Sequence, residues 1–102
     1  MSESSDLVLT TAKQAVYGER GDNYGTPWEN HGITAAFWVT YLRAKYAMVV
    51  PINAEDVCAM NRLQKESRAV HSPDVLDHFV DVAGYAENQA LCAQHRRATC
   101  ES

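Results

Sequence analysis

Apolar residues recur every three or four positions along much of the chain, which is the spacing of one face of an α-helix. This spacing predicts four helices, over residues of about 6–18, 27–48, 54–70 and 73–96. The longest apolar face belongs to the second helix, and we expect it to be buried: Ile33, Phe37, Tyr41, Ala44 and Met48. No alternating run of β-branched residues predicts a strand. Four helices with short connections predict an all-α four-helix bundle.

Residue types at the expected helix starts support these boundaries. Thr26, Asn53 and Ser72 each stand where an N-cap is expected, since such side chains accept hydrogen bonds from the first turn. Proline follows two of them, as Pro27 and Pro73, at the first helical position that proline favours. The beginnings of the last three helices are therefore predicted from local sequence.

The length of 102 residues and the apolar share of 46% fit one domain, residues 1–102, with residues of about 1–5 and 98–102 as disordered tails. A chain this short buries only about two-thirds of its unfolded surface, so a partner subunit would help it. The last predicted helix is also apolar or small around most of its circumference. We therefore expect a homodimer or a higher homo-oligomer.

Charge and cysteine content argue against several classes of protein. The 13 acidic residues outnumber the 9 basic ones, whereas a duplex nucleic-acid binder usually carries a clustered basic surface. Three cysteines without a paired spacing predict free thiols in a reducing compartment. The sequence shows neither a signal peptide nor a run of transmembrane length. We expect a cytoplasmic protein that binds neither duplex nucleic acid nor a membrane.

The polar face of the last predicted helix holds most of the side chains that could bind a metal ion or a ligand. At about 100° per residue, one third of its circumference holds Asp74, Asp77, His78, Asp81, Tyr85 and Asn88. A solvated face is the simplest interpretation. However, aspartate is a poor helix former, and Asp77 and Asp81 repel each other at a spacing of four unless a cation lies between them. Mg²⁺ suits such carboxylates, since it takes few protein ligands and keeps waters for a substrate phosphate.

The third predicted helix offers cations that could complement these acids. Lys65 and Arg68 lie on one face of this helix. The Arg68 guanidinium could form two parallel hydrogen bonds to phosphate oxygens, and the Lys65 ammonium could attract them as a point charge. The alternatives are solvated cations or salt bridges to the aspartates. Glu29 is explained by a capping box with Thr26, but it also borders the face expected to be buried, where a carboxylate needs a partner or a metal.

The segment from Arg20 to Gly25 combines two glycines, a guanidinium group and an aromatic ring. It is interpreted either as a turn whose glycines adopt positive φ, or as part of a binding site. Tyr24, Trp28 and Tyr85 are likewise either core residues or nucleotide-binding groups. No zinc-ligand spacing, serine-hydrolase motif or Walker-type loop is present.

Several of these residues together carry a resemblance that spans residues of about 15–90. They are Glu19-Arg20-Gly21, Tyr24-Gly25, Pro27-Trp28-Glu29-Asn30, Leu63, Lys65, Arg68, Asp77 and Asp81-Val82-Ala83-Gly84-Tyr85-Ala86. This pattern resembles a family of small, largely phage-encoded proteins of unknown function. That family is similar in turn to the MazG-like all-α nucleotide pyrophosphohydrolases, of which it looks like a divergent branch.

The resemblance implies a MazG-like fold with a Mg²⁺ site. MazG-like enzymes hold Mg²⁺ with a Glu-x-x-Glu pair on one helix and a Glu-x-x-Asp pair on a later one, and they cleave between the α and β phosphates. By position, Asp81 matches the final Asp and Glu29 could supply a carboxylate of the first pair. His78 stands where a Glu is expected, so Asp77 would have to substitute for it. Gly32 replaces the second Glu of the first pair.

Three functions are open on this sequence. The leading hypothesis is Mg²⁺-dependent hydrolysis of a nucleoside triphosphate, or a related nucleotide, to a monophosphate and pyrophosphate. The second is nucleotide binding without turnover, for example by a phage factor that sequesters a host signalling nucleotide; the incomplete acid set favours it. The third is a structural or protein-interaction module.

The first two functions share one predicted site, in which Asp77 and Asp81 face Glu29 across the bundle. The predicted metal ligands, for Mg²⁺, are Glu29, Asp77 and Asp81. The predicted phosphate contacts are Arg20, Lys65 and Arg68, and the predicted nucleotide contacts are Tyr24, Trp28, Tyr85 and Asn88.

Overall fold

A computed structural model describes residues 6–18 and 25–100 of the chain. Within these residues the structure has four helices and no strand, which confirms the predicted all-α class. In chain order the helices are α1 (Leu9–Tyr17), α2 (Pro27–Tyr46), α3 (Ala54–His71) and α4 (Leu76–Cys100). None of them combines the length and the apolar character needed to cross a membrane. The predicted site residues Arg20 and Tyr24 lie outside the described residues.

Side-chain caps fix the beginnings of α2 and α3, as predicted. Thr26 Oγ1 accepts a hydrogen bond from the Glu29 backbone N–H at 3.2 Å, and the Glu29 carboxylate accepts one from the Thr26 N–H at 3.1 Å. Asn53 and Asp56 make the same reciprocal pair at 3.0 Å in each direction. Each capping box satisfies two backbone donors with residues only three positions apart. Such starts can therefore be predicted without knowledge of the tertiary structure.

The predicted start of the fourth helix is wrong. Ser72 does not cap α4 but follows the last residue of α3, where its N–H donates to the Arg68 carbonyl at 2.8 Å. The Ser72 carbonyl then accepts from the Val75 N–H at 3.2 Å, and α4 begins at Leu76. Pro73 thus occupies the second position of a turn, which its fixed φ favours as strongly as the first position of a helix.

The last helix also extends further than predicted. Residues 98–100, which we expected in a disordered tail, belong to α4. Arg96 forms an ion pair with Glu55 of α3, and the Thr99 hydroxyl donates to the Arg96 carbonyl at 3.0 Å. The ion pair attaches the C-terminal part of α4 to the beginning of α3, which supports the additional turn.

Helix α4 is central to the fold because it packs against each of the other three helices, while α2 also packs against α3. The apolar side chains buried between them are all small: Ala12, Ala35, Val57, Cys58, Val80 and Cys92. The described part of the chain therefore has a thin core in which no buried apolar side chain is larger than valine.

The apolar face of α2 that we expected to be buried is exposed instead. Ile33, Phe37 and Tyr41 retain 61%, 70% and 56% of their accessible surface. Helix α2 packs through its other side, where His31 and Ala35 are buried. The prediction failed because α2 is apolar on two sides, and spacing alone cannot show which side the chain covers with its own helices.

The three cysteines are free thiols, as predicted, but their surroundings differ. Cys58 of α3 and Cys92 of α4 are buried and hydrogen-bonded to each other, whereas Cys100 is exposed. Burial raises the pKa of the Cys58 thiol to about 12, with a smaller contribution from Cys92. Burial raises the pKa of Cys92 as well. Both are therefore packing groups rather than nucleophiles.

Candidate functional site

A cleft of about 670 Å³ opens where α1, the start of α2, α3 and α4 meet. Its volume falls within the range of roughly 300–1,000 Å³ that is usual for small-molecule sites. Polar and aromatic groups from all four helices or their caps line it: Thr11, Thr26, Asn30, His31, Lys65, Asp77, Asp81, Tyr85 and Asn88. The described residues thus converge on a concave surface with charged, amide and aromatic groups.

Helix α4 provides most of the polar wall of this cleft. Asp77, Asp81, Tyr85 and Asn88 follow one another at spacings of four, four and three, and all four side chains line the cleft. Their common face was predicted from the helical repeat. Two other members of that predicted face are not among the lining residues, because Asp74 precedes the helix and His78 is half-buried elsewhere.

An ion pair crosses the cleft between α3 and α4. Lys65 Nζ lies 3.0 Å from Asp81 Oδ2, and both side chains are largely shielded from solvent. The sequence of α4 has no lysine or arginine between Asp77 and Asp81, but Lys65 of α3 provides a positive charge next to Asp81. Of the alternatives open for Lys65, the structure therefore shows a salt bridge to the aspartate face.

Glu29 is not in the cleft, contrary to our expectation that it faces Asp77 and Asp81. Its side chain is exposed and completes the capping box at the start of α2. Hydrogen bonds from the Thr26 backbone, and then from its side chain, lower the pKa of the Glu29 carboxyl. The carboxylate is held on its own first turn because it satisfies an otherwise unpaired backbone donor there.

The predicted three-carboxylate metal centre is therefore not assembled. Among the described residues, no group of three or more His, Cys, Asp or Glu side chains could hold a metal ion. Asp77 and Asp81 remain as two carboxylates one helical turn apart, and Asp81 is already paired with Lys65.

The two cations predicted to act together on α3 are separated by the fold. Lys65 lines the cleft and is half-buried, whereas Arg68 is exposed and is not part of the lining. Residues three apart on a helix differ by about 60° in direction. Arg68 thus points about 60° away from Lys65 and is not among the residues that line the cleft.

Trp28 was predicted as a nucleotide contact, but it packs elsewhere. Its ring stacks on the His95 ring of α4, with centroids 4.3 Å apart and planes within 7°. Trp28 is half-buried in this contact and does not line the cleft. The stack joins the first turn of α2 to the C-terminal part of α4, which is a packing role.

His31 is a cleft residue that sequence reasoning missed, since His31 was considered only as a possible zinc ligand. It is buried, and desolvation lowers its pKa. The Tyr85 ring meets it edge to face, with centroids 6.3 Å apart. Its position three residues after Trp28 and four before Ala35 could have indicated the inward side of α2.

The chain belongs to the family described as a domain of unknown function (DUF6378), whose model matches residues 7–93. It is 38% identical to the Gene 55 protein of Mycobacterium phage L5 over 79 residues, which is 78% of this chain and 47% of the phage protein. It is 35% identical to the Gene 55 protein of Mycobacterium phage D29 over 82 residues, which is 80% of this chain and 50% of the phage protein.

These comparisons confirm the predicted similarity to phage-encoded proteins of unknown function. The chain spans about half the length of the curated relatives it matches. No solved structure matches it significantly.

Proposed function

We propose that this DUF6378 protein binds a phosphate-bearing nucleotide in the cleft, together with Mg²⁺. The observation that carries the proposal is that one cleft gathers Lys65, Asp77, Asp81 and Tyr85 beside the N-terminal end of α2. The lysine can bind a phosphate, and the carboxylates can bind the metal ion that accompanies it. The aromatic ring and the neighbouring amides can bind a nucleotide base.

The phosphate end of the ligand is best placed between Lys65 and the start of α2. Gly25, Thr26 and Pro27 line the cleft there, so the positive end of the helix dipole lies at its edge. The Lys65 ammonium adds a full positive charge, and its flexible stem allows it to exchange Asp81 for a phosphate oxygen.

The charge balance of the cleft favours a nucleotide that arrives with a divalent cation. Its charged lining residues among the described ones are Lys65, Asp77 and Asp81, and desolvation keeps His31 neutral near pH 7 by lowering its pKa. The side chains thus sum to about one negative charge, which repels a bare triphosphate. Mg²⁺ usually takes one or two carboxylates together with substrate phosphates and water. Asp77 and Asp81 fit that donor set, and Mg²⁺ would neutralise charge between them and the phosphates.

Tyr85, Asn30 and Asn88 are suited to the base or the sugar. The Tyr85 ring lines the cleft beside His31, and stacking of a base on an aromatic ring is worth about 1–3 kcal/mol. The two amides each offer a donor and an acceptor. Together they would select a ligand with a planar ring and hydrogen-bonding edges.

Binding without turnover is the function that the geometry supports best. MazG-like catalysis uses four carboxylates, and Glu29, the candidate for the first pair, is engaged outside the cleft. A protein that holds the nucleotide without cleaving it, such as a phage factor that sequesters a host nucleotide, fits this reduced set.

Hydrolysis to a monophosphate and pyrophosphate is the second candidate. It is favoured by Asp81, which stands at the position of the final Asp of the MazG-like pattern and lines the same cleft as Lys65 and Asp77.

A single panel of measurements distinguishes these functions. Thermal unfolding is followed with common nucleoside triphosphates and cyclic dinucleotides, in Mg²⁺ and in EDTA, while the same samples are analysed for cleavage products. We expect a rise in Tm in Mg²⁺ without product. Product formation would establish the second candidate, and neither effect with any nucleotide would contradict both and favour a structural module.

A matched pair of variants locates the effect in the cleft. Tyr85→Ala removes the stacking ring and should abolish most of the nucleotide-dependent rise in Tm. Tyr46→Ala removes an exposed tyrosine at the far end of α2 and should leave it unchanged. Equal losses in both variants would place the ligand elsewhere.

A further inference from the structure

Helix α2 presents two apolar sides, and the described part of the chain covers only one of them. His31 and Ala35 pack inward, while Ile33, Phe37 and Tyr41 point outward and remain more than half exposed. An amphipathic surface helix normally turns charged residues to solvent. On α2, no Asp, Glu, Lys or Arg falls within about 60° of Phe37 at 100° per residue.

We propose that this outward face, the Phe37 row (Ile33, Phe37 and Tyr41), binds the same face of a second copy of the chain in an antiparallel helix pair. The proposal rests on the exposed row and is independent of what the cleft binds. A two-fold interface requires a self-complementary surface, and α2 provides one.

The sequence of the row is arranged symmetrically about Phe37. Phe37 lies near the middle of the 20 residues of α2, so a two-fold axis there places it against the partner's Phe37. Ile33 then lies at the level of the partner's Tyr41, since each is four residues from the axis. Thr34 and Thr40 are likewise equidistant, each three residues from the axis. These positions repeat as the a, d and e sites of a heptad, the pattern that packs one helix against another.

Charged residues flank the row on both sides, with Glu29 and Arg43 on one flank and Lys45, about 80° from Phe37, on the other. Glu29 and Arg43 lie on the same flank of α2, about 80° and 120° from Phe37. In the antiparallel pair, Glu29 lies within about two residues, roughly 3 Å along the axis, of the level of the partner's Arg43. Opposite charges therefore meet at the rim while the centre is uncharged, as in specific protein interfaces.

The area of the row is consistent with a dimer interface. With about 200 Å² for a large aromatic side chain, the exposed fractions of Phe37 and Tyr41, 70% and 56%, amount to roughly 250 Å². Two copies would bury about 500 Å² from these rings alone, or a third of a standard interface of about 1,600 Å². The thin core gives the chain a further reason to associate, since little apolar surface is buried within one copy.

Sedimentation equilibrium tests the proposal on the full chain. We expect the wild type to be a dimer at micromolar concentration, and Phe37→Glu to weaken the dimer at least tenfold while circular dichroism shows unchanged helix content. Val70→Glu is the control, because Val70 on α3 is 85% exposed and lies outside the row. A monomeric wild type would overturn the proposal, and so would dissociation by Val70→Glu but not by Phe37→Glu.

Disulfide trapping tests the register. In a Cys100→Ser background, Phe37→Cys should give a covalent dimer on mild oxidation, because Phe37 lies on the two-fold axis. Ala36→Cys is the control, since Ala36 is exposed on α2 but points about 100° away. Cross-linking of Ala36→Cys in preference to Phe37→Cys would show a different helix pairing and overturn the proposed one.

Discussion

The ion pair between Lys65 and Asp81 joins α3 to α4 at the cleft, with 20% and 31% of the side chains exposed. Because the pair is partly shielded from solvent, its loss should lower the free energy of unfolding by more than the loss of an ordinary surface ion pair. We expect Asp81→Asn to lower the free energy of unfolding by about 1 kcal/mol without ligand. Asp77→Asn, which alters an exposed carboxylate of the same face, should change it by less than about 0.5 kcal/mol. Urea unfolding measures both, and an Asp81→Asn variant as stable as wild type would contradict the structural role of the pair.

His31 makes stability depend on pH in a defined direction. Its pKa is lowered in the folded protein by desolvation from an ordinary value of 6.5. The unfolded chain therefore takes up a proton first, and stability is lost as the pH falls from about 6.5 towards the folded-state pKa, by at most about 1.4 kcal/mol per pH unit. Glu29, whose pKa is lowered from 4.5, contributes in the same direction only at more acidic pH.

His31→Gln isolates this contribution from the other groups. Unfolding free energies between pH 7 and 5 should fall more steeply for wild type than for His31→Gln. The slope is the readout, because the variant can also differ in absolute stability. Parallel profiles would show that His31 takes up its proton equally in both states.

At the scale of helices, two glycines of the α2 region should respond in opposite ways to alanine. A Cβ at Gly32 meets nothing within 4 Å, so Gly32→Ala should raise the free energy of unfolding by about 0.5–1 kcal/mol through helix propensity. Gly25 has a φ of +79°, and its Cβ would lie 3.1 Å from Glu29 Oε1. Gly25→Ala should therefore lower that free energy by about 1–2 kcal/mol. Thermal unfolding of both variants checks the pair, and a stabilised Gly25→Ala would contradict the positive φ at Gly25.

The helices were predictable to the extent that their signals are local. The capping boxes at Thr26 and Asn53 need only residues three apart, so the starts of α2 and α3 were found. Pro73 suits a turn as well as a helix start, so local sequence could not place the start of α4. The inward side of α2 depends on which neighbours pack against it, and spacing alone favoured Phe37 over His31.

The candidate site was predictable in part for the same reason. Asp77, Asp81, Tyr85 and Asn88 share a face through the helical repeat of α4, and the cleft does contain all four. Glu29, Arg68 and Trp28 were assigned by proximity in sequence or by family pattern. The capping box holds Glu29 outside the cleft, Trp28 stacks on His95, and Arg68 is exposed. Distances between helices are set by side-chain packing, which a single sequence does not encode in any local signal.

For the whole molecule, thiol reactivity should report whether the core remains closed. Cys58 and Cys92 are buried with raised pKa values, while Cys100 is exposed. A disulfide reagent at neutral pH should therefore modify one thiol per chain rapidly, and all three only in denaturant. Cys100→Ser should remove the rapid phase. Rapid modification of two or three thiols in the native protein would contradict the packing of α3 against α4.

Calorimetric titration with the nucleotide that gives the largest thermal shift measures whether the cleft binds a nucleotide together with Mg²⁺. Because the described residues that line the cleft carry a net negative charge, wild type should bind at least about tenfold more tightly in Mg²⁺ than in EDTA, a difference of about 1.4 kcal/mol. Asp77→Asn should remove most of that difference. Equal affinity in Mg²⁺ and EDTA, or binding that neither Asp77→Asn nor Tyr85→Ala alters, would rule out Mg²⁺-dependent nucleotide binding in this cleft.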